Sequence, residues 1–320
     1  MFELSSDDFR EVHARIAPDI HRTPLLTSRL LSEYTGLDVR LKAEVFQKTG
    51  SYKIRGPLNR FGLLSDSEKQ RGVICSSAGN HAQGVALAAA IHGIPAVVVM
   101  AKNATVSKIE ATKAYGAEVV LHGSIWDEAN EKAELLVEER GLTYIHPFDH
   151  PDLVAGQGTL GLEIAEDWPE VEAVIVPIGG GGLISGVSMA VKSMIPGARI
   201  IGVESSGAPA MSRSIEAGEL ITLDRIDCII DGLTVKTCGK LNFEIVQRCV
   251  DQIVTLPDEK IFAALIWIMA HCKLVPEGAA AAPVAALLEG KLDLPKGTRV
   301  ACVLSGGNLD LSQLRSLEWN

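Results

Sequence analysis

The clearest chemical signal in the sequence is a run of four consecutive glycines, Gly179, Gly180, Gly181 and Gly182, which we call the tetraglycine loop. The loop follows an apolar run at residues 173–178 and precedes a stretch with helical spacing that continues to Met194. Glycines between a strand and a helix let several backbone N–H groups converge on an anion, and the helix N-terminus adds positive charge. The pattern predicts a phosphate-binding loop. A tight turn that only packs the strand against the helix is the alternative interpretation.

A second candidate is Lys53, in the run SYKIRG that begins at Ser51. The lysine lies near the start of a predicted helix, beside the aromatic residue Tyr52 and in an otherwise apolar segment. Burial and the positive end of a helix both disfavour the ammonium form, so the pKa of Lys53 should fall. A neutral amine is a nucleophile or a base. The alternative is a surface position, where most lysines lie.

These residues must be positioned by the elements around them, and short β-branched runs alternate along the chain with amphipathic stretches. This alternation predicts βαβ units and a doubly wound α/β fold with helices on both faces of mostly parallel sheets. Four of the predicted strands, at residues 40–44, 72–75, 173–178 and 299–304, each run into a polar or glycine-rich loop. Because open α/β sheets bind ligands at the carboxyl ends of their strands, we expect these four loops to meet at one site.

A dinucleotide site is the rival interpretation of the tetraglycine loop. The spacing of Gly180, Gly182 and Gly186 approximates the dinucleotide fingerprint, and Glu204 follows a predicted strand where a ribose-binding acid would stand. The last spacing is wrong, because Ser185 occupies the position of the third glycine. This interpretation also leaves the other loops unexplained. Despite these two objections, an NAD-dependent oxidoreductase is kept as the alternative from a different enzyme class.

Taken together, the loops are more specific than any one of them. Lys53 in S-x-K-x-R-G, the loop at residues 77–81, the tetraglycine loop and the run SGGN at residues 305–308 occur in the order and at the separations seen in fold-type-II pyridoxal-phosphate enzymes. The sequence resembles this family from residue 21 to residue 309. Within the family, it is most similar to short, catabolic threonine ammonia-lyases (threonine dehydratases), through the segments 48–51, 77–85, 155–159 and 176–183.

The resemblance implies a tryptophan synthase β-like α/β fold of two doubly wound domains. Residues 1–48 and 149–320 would form a large domain that binds the cofactor, and residues 49–148 a small inserted domain that covers the active site. The cofactor would be pyridoxal 5′-phosphate. Lys53 would bind its aldehyde covalently and later act as the general base that takes the α-proton of the substrate.

The resemblance also assigns the other site residues. The tetraglycine loop would hold the cofactor phosphate, Tyr52 would lie near the pyridine ring, Asn80 would bind the 3′-oxygen, and Ser305 would face the ring nitrogen. Glu277 would line the site opposite the ring, unless it is a solvated carboxylate in a turn. The substrate carboxylate would bind to the loop formed by Ser77, Ala78, Gly79, Asn80 and His81, which we call the substrate loop. His81 would fix this loop rather than catalyse.

The implied activity is the β-elimination of L-threonine to 2-oxobutanoate and ammonia, and of L-serine to pyruvate. A serine at the ring nitrogen makes the ring a weaker electron sink than an aspartate would, which favours prompt elimination. Ala78 stands where related serine racemases carry a second serine, so racemisation would lack its second base. Alternatives within the same chemistry are serine racemisation and dehydration of 3-hydroxyaspartate or of a hydroxyectoine breakdown product. No metal is predicted, because Ala210 stands where relatives pair a further acid with Glu204.

Composition excludes several other classes. The chain has 320 residues with 47% hydrophobic and 22% charged side chains, which is typical of a globular protein. Thirty basic against forty acidic side chains give a net charge of −10, which argues against a nucleic-acid partner. An acidic N-terminal segment without a signal pattern, six dispersed cysteines and the lack of a long apolar run predict a cytoplasmic protein with no membrane span. We expect a homodimer or homotetramer, and no C-terminal regulatory domain.

Overall fold

Two β-sheets with helices packed on both of their faces organise the chain in a computed structural model that describes residues 2–310. The strands of the described residues are β1 (Leu25–Thr27), β2 (Asp38–Ala43), β3 (Val73–Ser76), β4 (Ala96–Met100), β5 (Glu118–Leu121), β6 (Thr143–Tyr144), β7 (Ala173–Pro177), β8 (Arg199–Ser205), β9 (Gln252–Leu256) and β10 (Arg299–Leu304).

At least one helix connects each of these strands to the next. They are α1 (Ser6–Ile16), α2 (Arg29–Thr35), α3 (Arg55–Gly62), α4 (Asp66–Arg71), α5 (Asn80–His92), α6 (Val106–Ala114), α7 (Trp126–Arg140), α8 (Pro151–Asp167), α9 (Gly182–Met194), α10 (Ala210–Ala217), α11 (Lys240–Cys249), α12 (Asp258–Cys272) and α13 (Gly278–Leu288). Short 3-10 helices occur at Ala17–Asp19, Glu44–Phe46 and Tyr52–Ile54. Within residues 2–310, none of the helices combines the length and the apolar character that a bilayer crossing requires.

The large sheet has six strands in the order β1-β2-β10-β7-β8-β9. Every neighbouring pair is parallel except β1 with β2. The alternate residues of β7 explain its continuous apolar sequence: Ala173 and Ile175 pack in one core with α12 and α13, whereas Val174 and Val176 pack in another with α8 and α9. A strand buried on both faces has no position for a polar side chain.

The small sheet has four parallel strands in the order β5-β4-β3-β6. All four strands lie within residues 73–144, inside the segment predicted to form the inserted domain. The boundaries of that domain stay a prediction. The carboxyl end of β3 leads into the substrate loop and α5, just as β7 leads into the tetraglycine loop and α9.

The predicted strands agree with the structure to within a few residues, but the helix predicted to start around Lys53 begins after it. Ser51 is extended, with φ −158°, and pairs with Gly306 across an isolated antiparallel bridge. The Tyr52 N–H then donates to the Ser305 carbonyl at 3.0 Å. Because this pairing holds the chain extended, a single 3-10 turn forms at Tyr52–Ile54 and α3 starts only at Arg55.

Candidate active site

Lys53 lies in the 3-10 turn Tyr52–Ile54, which follows β2 of the large sheet and precedes β3 of the small sheet along the chain. Its side chain is partly buried. Its Nζ donates a hydrogen bond to the Pro147 carbonyl at 2.8 Å. Burial lowers the pKa of Lys53 to about 8, although the nearby charge of Glu277 works in the opposite direction. The alternative of an ordinary surface lysine is therefore wrong. A substantial fraction of this amine is neutral at physiological pH, as a nucleophile or base requires.

The backbone of Lys53 is held as firmly as its side chain. Gly84 of α5 lies against it, and a Cβ added at Gly84 would come within 2.7 Å of the Lys53 carbonyl oxygen. On the other side, the Gly307 N–H donates to the Gly50 carbonyl at 2.8 Å, next to the Ser51 bridge. These contacts bring together α5, the loop after β10 and the 3-10 turn Tyr52–Ile54, which we call the lysine turn. The sequence predicted this, because ligand-binding loops meet at the carboxyl ends of parallel strands.

The tetraglycine loop joins β7 to α9, and its backbone is tightly confined. Gly181 has φ +94°, a left-handed conformation that favours glycine, and it precedes the first residue of α9. A Cβ at Gly180 would overlap the Phe148 ring, and one at Gly179 would overlap the Gly232 carbonyl oxygen. The first N–H groups of a helix have no acceptor within the helix, so the loop offers hydrogen-bond donors for an anion.

Sequence reasoning missed Asn242, a fully buried residue of α11 that supports this loop. Its Nδ2 donates to the Gly180 carbonyl at 2.9 Å and to the Phe148 carbonyl at 3.2 Å. The Gly239 N–H also donates to the Gly180 carbonyl, at 3.0 Å. With the Gly180 carbonyl turned toward α11, the tetraglycine loop can turn its N–H groups toward a ligand. A buried asparagine in an amphipathic helix was the available sequence signal.

Asn80, Glu277 and Asn308 form one hydrogen-bonded group beside Lys53. The Asn80 Nδ2 donates to both carboxylate oxygens of Glu277, each at 2.8 Å, and the Asn80 Oδ1 accepts from the Asn308 Nδ2 at 2.7 Å. Glu277 is only 8% exposed, and burial raises its pKa to about 7 while the Asn80 bond opposes the rise. The alternative of a solvated turn carboxylate at Glu277 is therefore wrong.

The substrate loop presents a helix N-terminus. The Gly79 N–H donates to the Ser77 Oγ at 3.2 Å, α5 begins at Asn80, and an added Cβ at Gly79 would meet open space. The His81 Nε2 donates to the Ile145 carbonyl at 3.0 Å. Burial and the nearby Lys53 lower the pKa of His81 to about 3, so the imidazole is neutral and holds the loop in place.

Ser305 is buried at the end of β10, beside the lysine turn. Tyr52 also lies there, with its ring centroid 5.4 Å from the Lys53 Nζ. Asp149 follows Phe148, and its two carboxylate oxygens accept from the Lys240 and Leu241 N–H groups at 3.0 Å each, at the start of α11. It therefore caps α11.

Glu204, the acid of the rival dinucleotide interpretation, is buried and already engaged. Its carboxylate accepts from the N–H groups of Met211 and Ser212 at 2.8 and 2.9 Å, and from the Ser212 hydroxyl. Within residues 2–310, no three or more His, Cys, Asp or Glu side chains are grouped so that they could hold a metal ion.

The described residues fit pyridoxal 5′-phosphate by their donor chemistry. The partly buried amine of Lys53, with its lowered pKa, would take the aldehyde, the N–H groups of the tetraglycine loop would take the phosphate, and the neutral Ser305 hydroxyl would suit the ring nitrogen. Each group comes from a loop at the carboxyl end of a strand or from the turn packed against it. Such an arrangement defines a pyridoxal-phosphate enzyme of the α/β class.

Comparison with known protein families supports this assignment to the pyridoxal-phosphate enzymes. Residues 16–306 match the family described as pyridoxal-phosphate dependent enzymes, and the chain belongs to this family. The predicted fold class and cofactor are confirmed, and the NAD-dependent alternative is wrong.

Particular relatives are similar over nearly the whole chain. An L-threonine ammonia-lyase of Thermotoga maritima is 48% identical over 97% of this chain and 77% of its own length. The catabolic L-threonine dehydratase TdcB of Escherichia coli K12 is 45% identical over 98% of this chain and 96% of its own. Among solved structures, maize serine racemase superimposes with a TM-score of 0.93 at 38% identity, covering 98% of this chain and 97% of that one. The processed form of threonine deaminase isoform 2 from Solanum lycopersicum gives a TM-score of 0.91 at 35% identity, covering 98% and 94%.

Proposed function

We propose that this protein is a pyridoxal-phosphate dependent ammonia-lyase that converts L-threonine to 2-oxobutanoate and ammonia, and L-serine to pyruvate. The observation that carries the proposal is the packing around a partly buried amine, Lys53. Its Nζ bonds to the Pro147 carbonyl, and the next residue, Phe148, packs against Gly180 of the tetraglycine loop. The helix that follows the substrate loop, α5, packs against the Lys53 backbone through Gly84. The names of the threonine ammonia-lyase and dehydratase relatives support the same substrate.

When bound, the cofactor supplies an electron sink for the carbon that loses its proton. Lys53 is the base in this proposal, because its lowered pKa leaves a neutral amine to accept the α-proton. The Pro147 carbonyl, 2.8 Å from the Lys53 Nζ, stabilises the ammonium that results. The substrate loop holds the substrate carboxylate through the N–H groups at the start of α5 and the Ser77 hydroxyl.

Two neutral positions favour elimination. Ser305 carries no charge where an aspartate would stabilise a long-lived carbanion, so prompt loss of the β-hydroxyl is preferred. Ala78 has no hydroxyl to return a proton to the substrate from a second direction. Serine racemisation is the second candidate activity, since maize serine racemase shares the fold at 38% identity.

The test is product formation by the purified protein loaded with the cofactor. We expect the protein to release ammonia and 2-oxobutanoate from L-threonine. The rate of ammonia release from L-threonine should exceed the rate from threo-3-hydroxyaspartate. Lys53→Ala should abolish turnover, whereas Lys48→Ala, which removes an exposed amine from the same loop, should not. A faster reaction with 3-hydroxyaspartate would overturn the substrate assignment, and full activity of Lys53→Ala would overturn the mechanism.

The proposal extends to a homo-oligomer in the cytoplasm. Exposed apolar side chains such as Leu30, Tyr34 and Phe46 offer a surface that a second copy could cover. The six cysteines are all free, as a reducing compartment would leave them. Light scattering of the purified protein tests the assembly.

A further inference from the structure

Four charged side chains lie in the interior beside the lysine turn. Lys42 of β2, Glu44, Arg55 of α3 and Glu163 of α8 each have no exposed surface, and we call them the buried tetrad. Two positive and two negative charges balance. The Lys42 Nζ lies 2.6 Å from the Glu163 Oε2 and also donates to the Thr23 carbonyl at 2.6 Å. Desolvating charges is costly unless each is paired and hydrogen-bonded, which is the case here.

Arg55 is the centre of the tetrad, and its guanidinium uses all five of its donors. The Nε and Nη2 donate to the two oxygens of Glu44 at 2.9 and 2.8 Å. The Nη1 and Nη2 donate to the two oxygens of Glu163 at 2.7 and 3.0 Å, and the Nη1 also donates to the Thr159 hydroxyl at 3.1 Å. Because a guanidinium is planar, five bonds fix both its position and its orientation.

The same residue is pressed against α8 through its backbone. A Cβ at Gly156 would come within 2.6 Å of the Arg55 carbonyl oxygen. Gly156, Thr159 and Glu163 are spaced by three and four residues, so they share one face of α8. The run AGQGT at residues 155–159 was one of the segments that resembled the family, but it had no assigned role. Two of its residues, Gly156 and Thr159, contact Arg55.

Stability alone does not account for such a cluster. Replacing buried ion networks by apolar side chains of similar volume is often neutral or stabilising, so the tetrad points to a requirement for geometry. Arg55 follows Lys53 by two residues, at the point where the 3-10 turn meets α3. That turn has no side-chain cap of its own. The Lys53 side chain reaches Pro147, whereas the Arg55 side chain reaches the interior.

We propose that Arg55, clamped by Glu44 and Glu163, is the positioning residue that sets Lys53 against the cofactor site. The inference rests on the proposed function only for its kinetic readout. Because Arg55 is bonded to the 3-10 helix Glu44–Phe46 and to α8, the turn that carries Lys53 keeps its position when the Lys53 side chain moves. A displacement of about 1 Å at a reacting group can cost about a hundredfold in rate.

The test variant is Arg55→Met/Glu44→Gln, which leaves Lys42 and Glu163 as a balanced pair. The control is Arg60→Met/Asp152→Asn, which removes a 3.0 Å ion pair. This pair also joins α3 to α8, but it lies nearer the surface than the buried tetrad does. The first readout is the visible circular dichroism of the cofactor per mole bound, which reports how rigidly Lys53 orients it and needs no substrate. The second is the separate measurement of kcat and KM for L-threonine.

We expect the tetrad variant to lose at least about half of its dichroism and to lower kcat by about 10- to 100-fold, with KM little changed. The control should keep wild-type values. If the tetrad variant does not fold, Arg55→Lys carries the test, because it keeps the charge and loses the planar fork. Dichroism and kcat equal to those of the control in the folded variant would overturn the proposal. A wild-type protein that orients the cofactor but does not turn over threonine would instead overturn the proposed function.

Discussion

Replacing Gly180 by alanine tests whether the confined tetraglycine loop binds the cofactor phosphate. The added Cβ would overlap three carbon atoms of the Phe148 ring, and the φ of Gly180 lies outside the left-handed region, so the effect is one of space and not of backbone strain. The ring has little room to withdraw, because it packs edge-to-face on His146 at 4.7 Å. Overpacking of this kind costs about 1–3 kcal/mol.

If binding must restore the displaced loop, that cost weakens the Kd for pyridoxal phosphate by roughly 5- to 150-fold. The assay is a fluorescence titration of the cofactor-free variant, with Gly197→Ala as the control, since a Cβ there meets open space far from the site. Phe148→Leu in the same chain should recover part of the loss, as coupled neighbours do in a double-mutant cycle. A Kd for Gly180→Ala within about twofold of the control would refute the role given to this loop.

Three further outcomes are expected. The rate at which the cofactor-free protein binds pyridoxal phosphate covalently should rise with pH and level off above about pH 8. The reason is that burial lowers the pKa of Lys53 to about 8 and only the neutral amine reacts. Stopped-flow absorbance measures this rate, and a rate that levels off only near pH 10.5 would contradict the prediction. Ala78→Ser should increase D-serine formation relative to pyruvate, as chiral chromatography can measure, and an unchanged ratio would remove the second-base argument. Lys108→Met breaks a 2.6 Å ion pair with Asp231, and both charges of the pair lie close enough to Glu277 to affect its pKa. It should raise KM by up to about fivefold, at the energy of an exposed pair, whereas Lys113→Met, which breaks the pair with Glu110, should not. Equal KM values for the two variants would show that the Lys108–Asp231 pair does not act on the site.

Much of the fold follows from local patterns. The apolar runs at β7 and β10 coincide closely with the predicted strands, because strands buried on both faces need continuous apolar sequence. The late start of α3 was not predictable in this way. It depends on the pairing of Ser51 with Gly306, and no local signal reports a partner so distant in the chain.

The sequence by itself determined the chemistry: an amine in an apolar turn at Lys53, and a glycine run between a strand and a helix. Only the tertiary structure decided that Glu277 is buried against Asn80, that Asn242 supports the tetraglycine loop, and that Arg55 pairs with glutamates from other elements. The physical reason is that periodicity and turn composition act over a few residues. The pKa of a carboxylate or an amine instead depends on which distant segments exclude water from it and which donors they bring within hydrogen-bond distance.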